Sequence, residues 1–268
     1  MSLKILSYNI CLPPYGFDST DDNRELRIQS FLEHFGHQYD VLLLQEVWST
    51  VISDYTLKFF VHMARKHGFA YRASTVKRYW QLSNNGLLIL SKKPINKATS
   101  ITFARSAGLQ WFMCTGALHV NIEDVDLFVP YIHTGPMDTS IGNDSLTCKE
   151  VQRSQIVQLK EFVDANVTGR YIVAGDFNVD ALPSPSAGTV LSYQNLVEIM
   201  GTQSLLTDIG FPHTYPDPNF AFVNPRLAAE RNCIDHVFTN ILGIGVQVKF
   251  LRVDGLSISD HAAVEITV

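Results

Sequence analysis

Short apolar segments of strand length alternate with amphipathic helical segments from one end of the chain to the other. Apolar residues at the i, i+3, i+4 and i+7 spacing predict helices over Asp22–Phe35, Leu57–Ala64 and Val151–Val163. The remaining apolar runs predict strands, because they are short and bounded by turn residues, at 3–10, 41–44, 86–91, 101–103, 111–120, 125–132, 171–174, 233–239, 246–253 and 262–268. Strands outnumber helices, and the helices are interspersed among them. We therefore expect an α/β fold in which two sheets pack together with helices outside.

Nothing in the sequence divides this pattern into separate domains. The 268 residues contain no Gly/Ser-rich linker, internal repeat or low-complexity tract, and the length suits one large domain or two small ones. Hydrophobic residues make up 46% of the chain and charged residues 18%, which is enough apolar material for a sizeable core and argues against disorder. We interpret residues 1–268 as one domain.

Charge and hydropathy exclude some classes of function. The 21 basic and 26 acidic side chains give a net charge of −5, which argues against a surface that binds nucleic acid throughout, although a local basic groove is compatible with it. No apolar run approaches the ~18 residues needed to span a bilayer. Since the N-terminus also lacks the pattern of a secretory signal, we expect a soluble, cytoplasmic protein, while a mature secreted form also fits the sequence.

Cysteine spacing argues against two kinds of site. The four cysteines form no C-x-x-C pair, so the sequence does not predict a zinc knuckle or a thioredoxin-type centre. Four thiols in a chain of this length suit a reducing compartment, and they are also compatible with one disulfide.

Polar clusters follow several of the predicted strands. Five of them stand at strand ends: Tyr8-Asn9, Gln45-Glu46, His133-Thr134, Asp176-Phe177-Asn178 and Ser259-Asp260-His261. A further carboxylate, Asp235, lies inside a strand. Strand ends are common places for catalytic residues because a rigid sheet directs several side chains into one crevice. Asp176 and Asn178 are two residues apart, so on an extended backbone they face the same way. Carboxylates and amides favour a hard cation such as Mg²⁺ or Mn²⁺.

The clusters occur within runs that resemble the endonuclease/exonuclease/phosphatase superfamily, in that family's order and over essentially the whole chain. The runs are Leu-Ser-Tyr-Asn-Ile (6–10), Asp-Val-Leu-Leu-Leu-Gln-Glu-Val-Trp (40–48), Gly-Asp-Phe-Asn (175–178), Ile-Asp (234–235) and Ser-Asp-His (259–261). Within the superfamily the chain is most similar to the neutral, magnesium-dependent sphingomyelinases, through residues 45–48, 85–95, 133–134 with 152–155, and 227–230. The resemblance implies a four-layer α-β-β-α sandwich of two packed mixed sheets with helices outside.

The resemblance also implies metal ligands. Glu46 matches the principal ligand of a divalent cation, with Asn9 beside it, and Asp260 matches a carboxylate near a second metal position. The implied cofactor is Mg²⁺, with Mn²⁺ as an alternative. A cation held there would polarise a phosphoryl oxygen and neutralise charge in an in-line displacement.

Five further residues match catalytic positions of the family. His261 matches a general base or transition-state stabiliser, and Asp235 matches the carboxylate that fixes its tautomer. Asp176 matches the group that orients or activates the attacking water. Asn178 matches the amide that holds a phosphate oxygen, and His133 the imidazole that donates to the phosphate or the leaving oxygen. The division of roles between His261 and Asp176 varies within the family.

One catalytic chemistry of this kind serves several substrates. The resemblance and the acidic charge favour a phosphodiesterase that removes a sphingomyelin-like phospholipid headgroup. A DNA endonuclease or exonuclease would use the same residues and would need a basic groove. A phosphoinositide phosphatase is less favoured, because the aromatic-Cys-Asp-Arg pattern expected of the inositol polyphosphate 5-phosphatases is replaced by Arg231–Asp235. A non-catalytic scaffold would have lost a metal or base residue, and none is lost.

Two features concern contact with a lipid. The basic and aromatic run Lys77–Trp80 suits contact with a phosphate-bearing polymer or an anionic membrane, or is an exposed loop. Membrane-acting relatives carry transmembrane helices or an exposed aromatic hairpin, and we find neither, so we expect at most peripheral membrane contact. Four aromatic residues have two alternative interpretations, as a wall that contacts a quaternary ammonium headgroup or as part of the core: Trp111, Tyr215, Phe220 and Phe222.

Overall fold

The computed structural model of the chain describes residues 2–13, 23–51, 53–75, 82–104, 114–134, 145–182, 191–220 and 230–268. The helices are α1 (Arg24–His34), α2 (Tyr55–Lys66), α3 (Ser145–Asn166) and α4 (Tyr193–Met200). The strands are β1 (Lys4–Leu12), β2 (Val41–Val47), β3 (Tyr71–Ser74), β4 (Leu88–Ser91), β5 (Lys97–Thr102), β6 (Gly116–Ile122), β7 (Val125–Tyr131), β8 (Arg170–Asp176), β9 (Asp235–Thr239), β10 (Gly245–Lys249), β11 (Arg252–Val253), β12 (Leu256–Ser257) and β13 (Ala263–Thr267). Residues named above that lie outside the described ranges are Asp22, Lys77–Trp80, Trp111, Phe222 and 227–229.

The strands form two larger mixed sheets and one small pair. One sheet has six strands in the order β10-β13-β1-β2-β4-β3, and the other has five in the order β5-β6-β7-β8-β9. The six-stranded sheet has one parallel pair, β1 with β2, and the five-stranded sheet has one parallel pair, β7 with β8. All other neighbouring strands in these two sheets are antiparallel. The parallel pairs matter for the site because the carboxyl ends of their strands lie at the same edge of each sheet.

Alternation along the strands separates three layers of core. In β1, Ile5 faces the opposite sheet, whereas Leu6 and Tyr8 pack under α1 and α2. In β8, Ala174 faces between the sheets and Val173 packs under α3 and α4. Side chains of a strand point alternately to the two faces of its sheet, and here both faces are buried. Each sheet is therefore covered by the other sheet on its inner face and by helices on its outer face. The expected α-β-β-α sandwich is therefore confirmed.

No helix in the described ranges is both long enough and apolar enough to cross a membrane.

His236 follows Asp235 in β9 and points to the opposite face, as strand alternation requires. It is fully buried, and its ring packs near Phe177, Tyr193 and Phe238. The His236 Nε2 atom lies 2.8 Å from the Val179 carbonyl oxygen, to which it donates. Burial lowers the pKa of His236 to about 4. The residue is thus part of the core and holds a neutral imidazole.

This burial predicts a loss of stability in mild acid. Unfolded histidine has a pKa near 6.5, so between about pH 6.5 and pH 4 the unfolded chain binds a proton that the folded chain does not. Stability present above pH 6.5 is therefore lost as the pH falls, by roughly 3 kcal/mol for this residue. The change His236→Gln keeps a donor for Val179 and should flatten this decline in urea unfolding from pH 7 to 4. The same change at exposed His62 is the control, and parallel curves for wild type and His236→Gln would contradict the assignment.

Candidate active site

The carboxyl ends of the two parallel strand pairs converge between the sheets. The Asn9 Nδ2 atom on β1 donates to Glu46 Oε1 on β2, at 3.1 Å, and to Asp176 Oδ2 on β8, at 3.0 Å. All three side chains are largely or completely buried. A single amide therefore joins carboxylates from both sheets at the floor of one crevice.

Glu46 reaches this crevice through a break in strand alternation. Leu42 and Leu44 face the outer helices, so regular alternation would direct Glu46 outward as well. Instead the backbone of Glu46 has a φ of +60°, the register between β1 and β2 shifts here, and Val47 takes the outward position. Glu46 then accepts a hydrogen bond of 2.9 Å from the Tyr131 hydroxyl on β7. A left-handed glutamate is strained, and such strain is concentrated at functional sites.

Asp176 ends β8 where the chain passes very close to β7. A Cβ at Gly175 would lie 2.5 Å from the Pro130 carbonyl oxygen, so only glycine lets the two strands approach in this way. Burial raises the pKa of the Asp176 carboxyl, and the charge of His261 opposes that rise.

His261 is held between two carboxylates. Its Nδ1 atom lies 3.0 Å from Asp235 Oδ2, and its Nε2 atom lies 3.9 Å from Asp176 Oδ2. Burial disfavours the charged imidazolium, but Asp235 and Asp176 outweigh it and raise the pKa of His261 to about 10. The geometry fixes the ring with Nε2 directed at Asp176, which is the arrangement expected of an oriented catalytic histidine.

The segment before β13 is attached to the floor by Ser259. The Ser259 hydroxyl donates to the Asn9 carbonyl oxygen at 2.6 Å and accepts from the His261 backbone N–H at 3.2 Å. It also lies 3.2 Å from Asp260 Oδ1. Burial and the charge of Asp260 both raise the pKa of Glu46, so Asp260 acts on the principal carboxylate through its field.

Asn178 does not continue the strand as expected. The interpretation that Asp176 and Asn178 face the same way on an extended backbone is wrong, because β8 ends at Asp176 and Asn178 has a φ of +50°. Its backbone N–H donates to Asp176 Oδ1 at 2.9 Å, which forms an Asx-type turn. Its side-chain amide donates to the Ile132 carbonyl oxygen at 2.9 Å. The amide has a second N–H.

His133 is buried beside this turn. Its backbone N–H donates to Gln155 Oε1, and its carbonyl oxygen accepts from Gln152 Nε2, which also donates to the Asn178 carbonyl oxygen. Burial lowers the pKa of His133 to about 4, so the imidazole is neutral. Its Nδ1 atom is buried and has no hydrogen-bond partner.

Comparison with known proteins identifies the family and the fold. The model of the endonuclease/exonuclease/phosphatase family matches residues 6–261. The chain belongs to this family. Members of the family hydrolyse phosphoesters. No curated protein matches the chain in a sequence comparison.

Several solved structures share the fold. Beta toxin from Staphylococcus aureus has a TM-score of 0.75 and 15% identity, covering 98% of this chain and 99% of that one. Sphingomyelinase C from Streptomyces griseocarneus has a TM-score of 0.71 and 18% identity, covering 100% and 99%. A family member from Leptotrichia buccalis has a TM-score of 0.62 and 17% identity, covering 98% of each chain. At these identities the likeness concerns the fold alone.

Enzymes of this family generally use a divalent cation, so the oxygen donors of the crevice are compared with the ligands that such a cation prefers. Among the described residues, no group of three or more His, Cys, Asp and Glu side chains lies close enough to enclose a metal ion. Mg²⁺ is commonly held by one or two carboxylates together with water and substrate phosphate. Glu46, with Asn9 beside it and Asp260 contributing negative charge, fits that kind of open site.

Two residues of the site region were not predicted from the sequence. Tyr131 binds Glu46 from the last position of β7. Arg27 is buried in α1, and its guanidinium donates to the carbonyl oxygens of Ile10, Cys11 and Ile258 at 2.8–2.9 Å. It thereby ties the end of β1 to the segment that leads to His261. The only sequence signal for Arg27 is its place beside the apolar positions of the first helix.

Proposed function

We propose that the chain is a Mg²⁺-dependent phosphodiesterase that hydrolyses the headgroup ester of sphingomyelin or a related phospholipid. The observation that carries the hydrolytic part is the placement of His261, held by Asp235, with Nε2 3.9 Å from Asp176 Oδ2. A water molecule between these two atoms would be within hydrogen-bond reach of both.

The chain's own residues have separable tasks in this proposal. Asp176 accepts the proton of the attacking water, since burial raises the pKa of its carboxyl. The charged His261 ring orients the water and stabilises the negative charge that develops, and Asp235 holds that ring in place. Asn178 and the neutral His133 supply donors for phosphate oxygens. Glu46, with Asn9 and the charge of Asp260, holds the cation, which when bound supplies a Lewis acid that neutralises charge on the phosphoryl group. Mg²⁺ is supported by this donor set, and a crystal structure of a beta toxin mutant from Staphylococcus aureus contains bound magnesium ions.

The choice of a lipid headgroup rests on the charges and rings around the crevice. Two arginines in the described part of the site region bind protein groups: Arg27 binds three carbonyl oxygens, and Arg252 binds Asp217 at 2.6 Å. The Tyr215 ring lies 4.8 Å from the His261 ring, centroid to centroid. An acidic site lined by an aromatic ring suits a choline headgroup better than a DNA backbone. The fold shared with sphingomyelinase C supports the same choice.

A substrate comparison tests the proposal. We expect phosphocholine release from sphingomyelin in Mg²⁺, its loss in EDTA and its recovery on adding Mg²⁺ or Mn²⁺. Duplex DNA with an abasic site and an inositol polyphosphate are assayed in parallel. Faster metal-dependent cleavage of either would refute the lipid assignment, and absence of metal-dependent cleavage of all three would refute the hydrolase assignment.

A further inference from the structure

The chains of β2 and β4 continue to pair beyond the sheet. The Val47 N–H donates to the Gly86 carbonyl oxygen at 2.8 Å, and the Val51 N–H donates to the Leu82 carbonyl oxygen at 2.9 Å. Between them Thr50 and Ser83 form an antiparallel bridge. We call residues 47–51 and 82–86 the β2–β4 extension.

In the extension, polar residues are buried and apolar residues are exposed, which is the reverse of the usual arrangement. Ser49, Ser83 and Asn84 are buried, whereas Val51 is 56% exposed and Leu82 is 48% exposed. Asn84 explains the buried polar side, because its Oδ1 accepts the backbone N–H groups of Ser49 and Gly86. Nothing comparable explains the exposed apolar side. Val51 and Leu82 are opposite one another in the ladder, so their side chains share one face.

The tip of the extension, formed by Val51 and Leu82, is close to the active site along the chain. Glu46 immediately precedes the extension, and Val51 lies five residues further along the chain, which is at most about 16 Å. The tip therefore projects from the edge of the sheet at which the crevice lies. Exposed Tyr55 follows the tip, where α2 begins.

We propose that Val51 and Leu82 form the surface by which the protein docks on a phosphocholine-lipid bilayer. The identity of this partner rests on the proposed function, because a headgroup hydrolase must bring its crevice to the lipid surface. Within the described ranges 23–51, 53–75 and 82–104, two acidic groups beside the tip are paired: Asp54 binds Lys58 at 2.9 Å, and Glu25 accepts a hydrogen bond from Tyr55. Docking here is therefore apolar and suits a zwitterionic surface.

Vesicle binding separates docking from catalysis. Wild type, a Val51→Ser/Leu82→Ser variant and a Leu242→Ser control are sedimented with phosphatidylcholine vesicles in EDTA, with and without 20% anionic lipid. Leu242 is a matched control because it is 96% exposed and follows the end of β9 opposite Asp235. We expect the double variant to bind pure phosphatidylcholine about tenfold more weakly or worse. The control should bind like wild type.

Turnover gives the second readout. The double variant should lose activity on sphingomyelin vesicles through a higher apparent KM, while its kcat/KM on monomeric p-nitrophenylphosphorylcholine stays within about twofold of wild type, which also shows that it is folded. Equal vesicle binding by wild type and double variant, wild-type binding that requires anionic lipid, or a wild-type dimer that the double change dissociates would each overturn the inference. Failure of wild type to cleave either substrate would overturn the proposed function, and sedimentation would still decide docking.

Discussion

Replacing His261 by alanine is expected to lower kcat by about 10²–10⁴-fold, the range typical for loss of a positioned acid–base group. The His261 ring contacts both Asp235 and Asp176. No other described imidazole has these two contacts, so none takes its place. Affinity for a divalent cation should be retained, because the described residues show no hydrogen bond from the ring to Glu46 or Asn9, and removing the positive charge that acts on Glu46 does not disfavour a cation. The expected signature is therefore a loss of turnover with metal binding retained.

The measurement pairs steady-state kinetics on a p-nitrophenyl phosphodiester with Mn²⁺ binding by calorimetry. Asp235→Asn should also lower kcat, since it keeps a polar group beside Nδ1 but removes the negative charge that orients the ring and favours its charged form. His62→Ala changes an exposed histidine of α2 and should leave both quantities unchanged. Full activity in His261→Ala would show that the crevice is wrongly assigned. A parallel loss of Mn²⁺ affinity would show that His261 serves the cation rather than the proton transfer.

Much of the fold follows from local patterns in the sequence. The long strands and α1, α2 and α3 were predicted because each buries a regular set of apolar residues, and alternation alone separates the inner layer from the two outer ones. The elements that were missed bury little. β3 has four residues, of which only Ala73 is buried, and α4 has eight residues, two of them buried. A segment this short offers too few apolar positions for a period to be recognised.

The sequence named side chains that the structure brings together, but it did not predict how they are oriented. The carboxylates, amides and imidazoles were named because they follow strands and match a family pattern. The direction of Glu46 and the turn at Asn178 depend on left-handed backbone at non-glycine residues, which no local pattern announces. The contacts of Tyr131 with Glu46 and of Ser259 with Asn9 join residues 85 and 250 positions apart. Only the packed sheets create such contacts, so they could not be derived from spacing.

Replacing Glu46 by glutamine is expected to weaken Mg²⁺ or Mn²⁺ binding and turnover together. The change keeps an oxygen that can accept the hydrogen bonds of Asn9 and Tyr131, and it removes only the negative charge. Affinity should fall by at least the roughly 10–100-fold that loss of a supporting residue costs at metal sites. Metal titration by calorimetry and the dependence of turnover on metal concentration measure the two effects. The matched control is Glu33→Gln on the exposed face of α1, which should change neither.

Without a metal ion, Glu46→Gln should raise the stability of the folded protein, although it weakens metal binding. Burial and the charge of Asp260 raise the pKa of Glu46 above its unfolded value, so at neutral pH the ionised carboxylate makes the folded state less stable. Metal-free Glu46→Gln should therefore melt at a higher temperature than metal-free wild type. Saturating Mg²⁺ should stabilise wild type much more than the variant, because a ligand that binds only the folded state adds stability according to its affinity. Lower thermal stability of the metal-free variant, or equal stabilisation by Mg²⁺, would mean that Glu46 is a structural carboxylate and that the cation is held elsewhere.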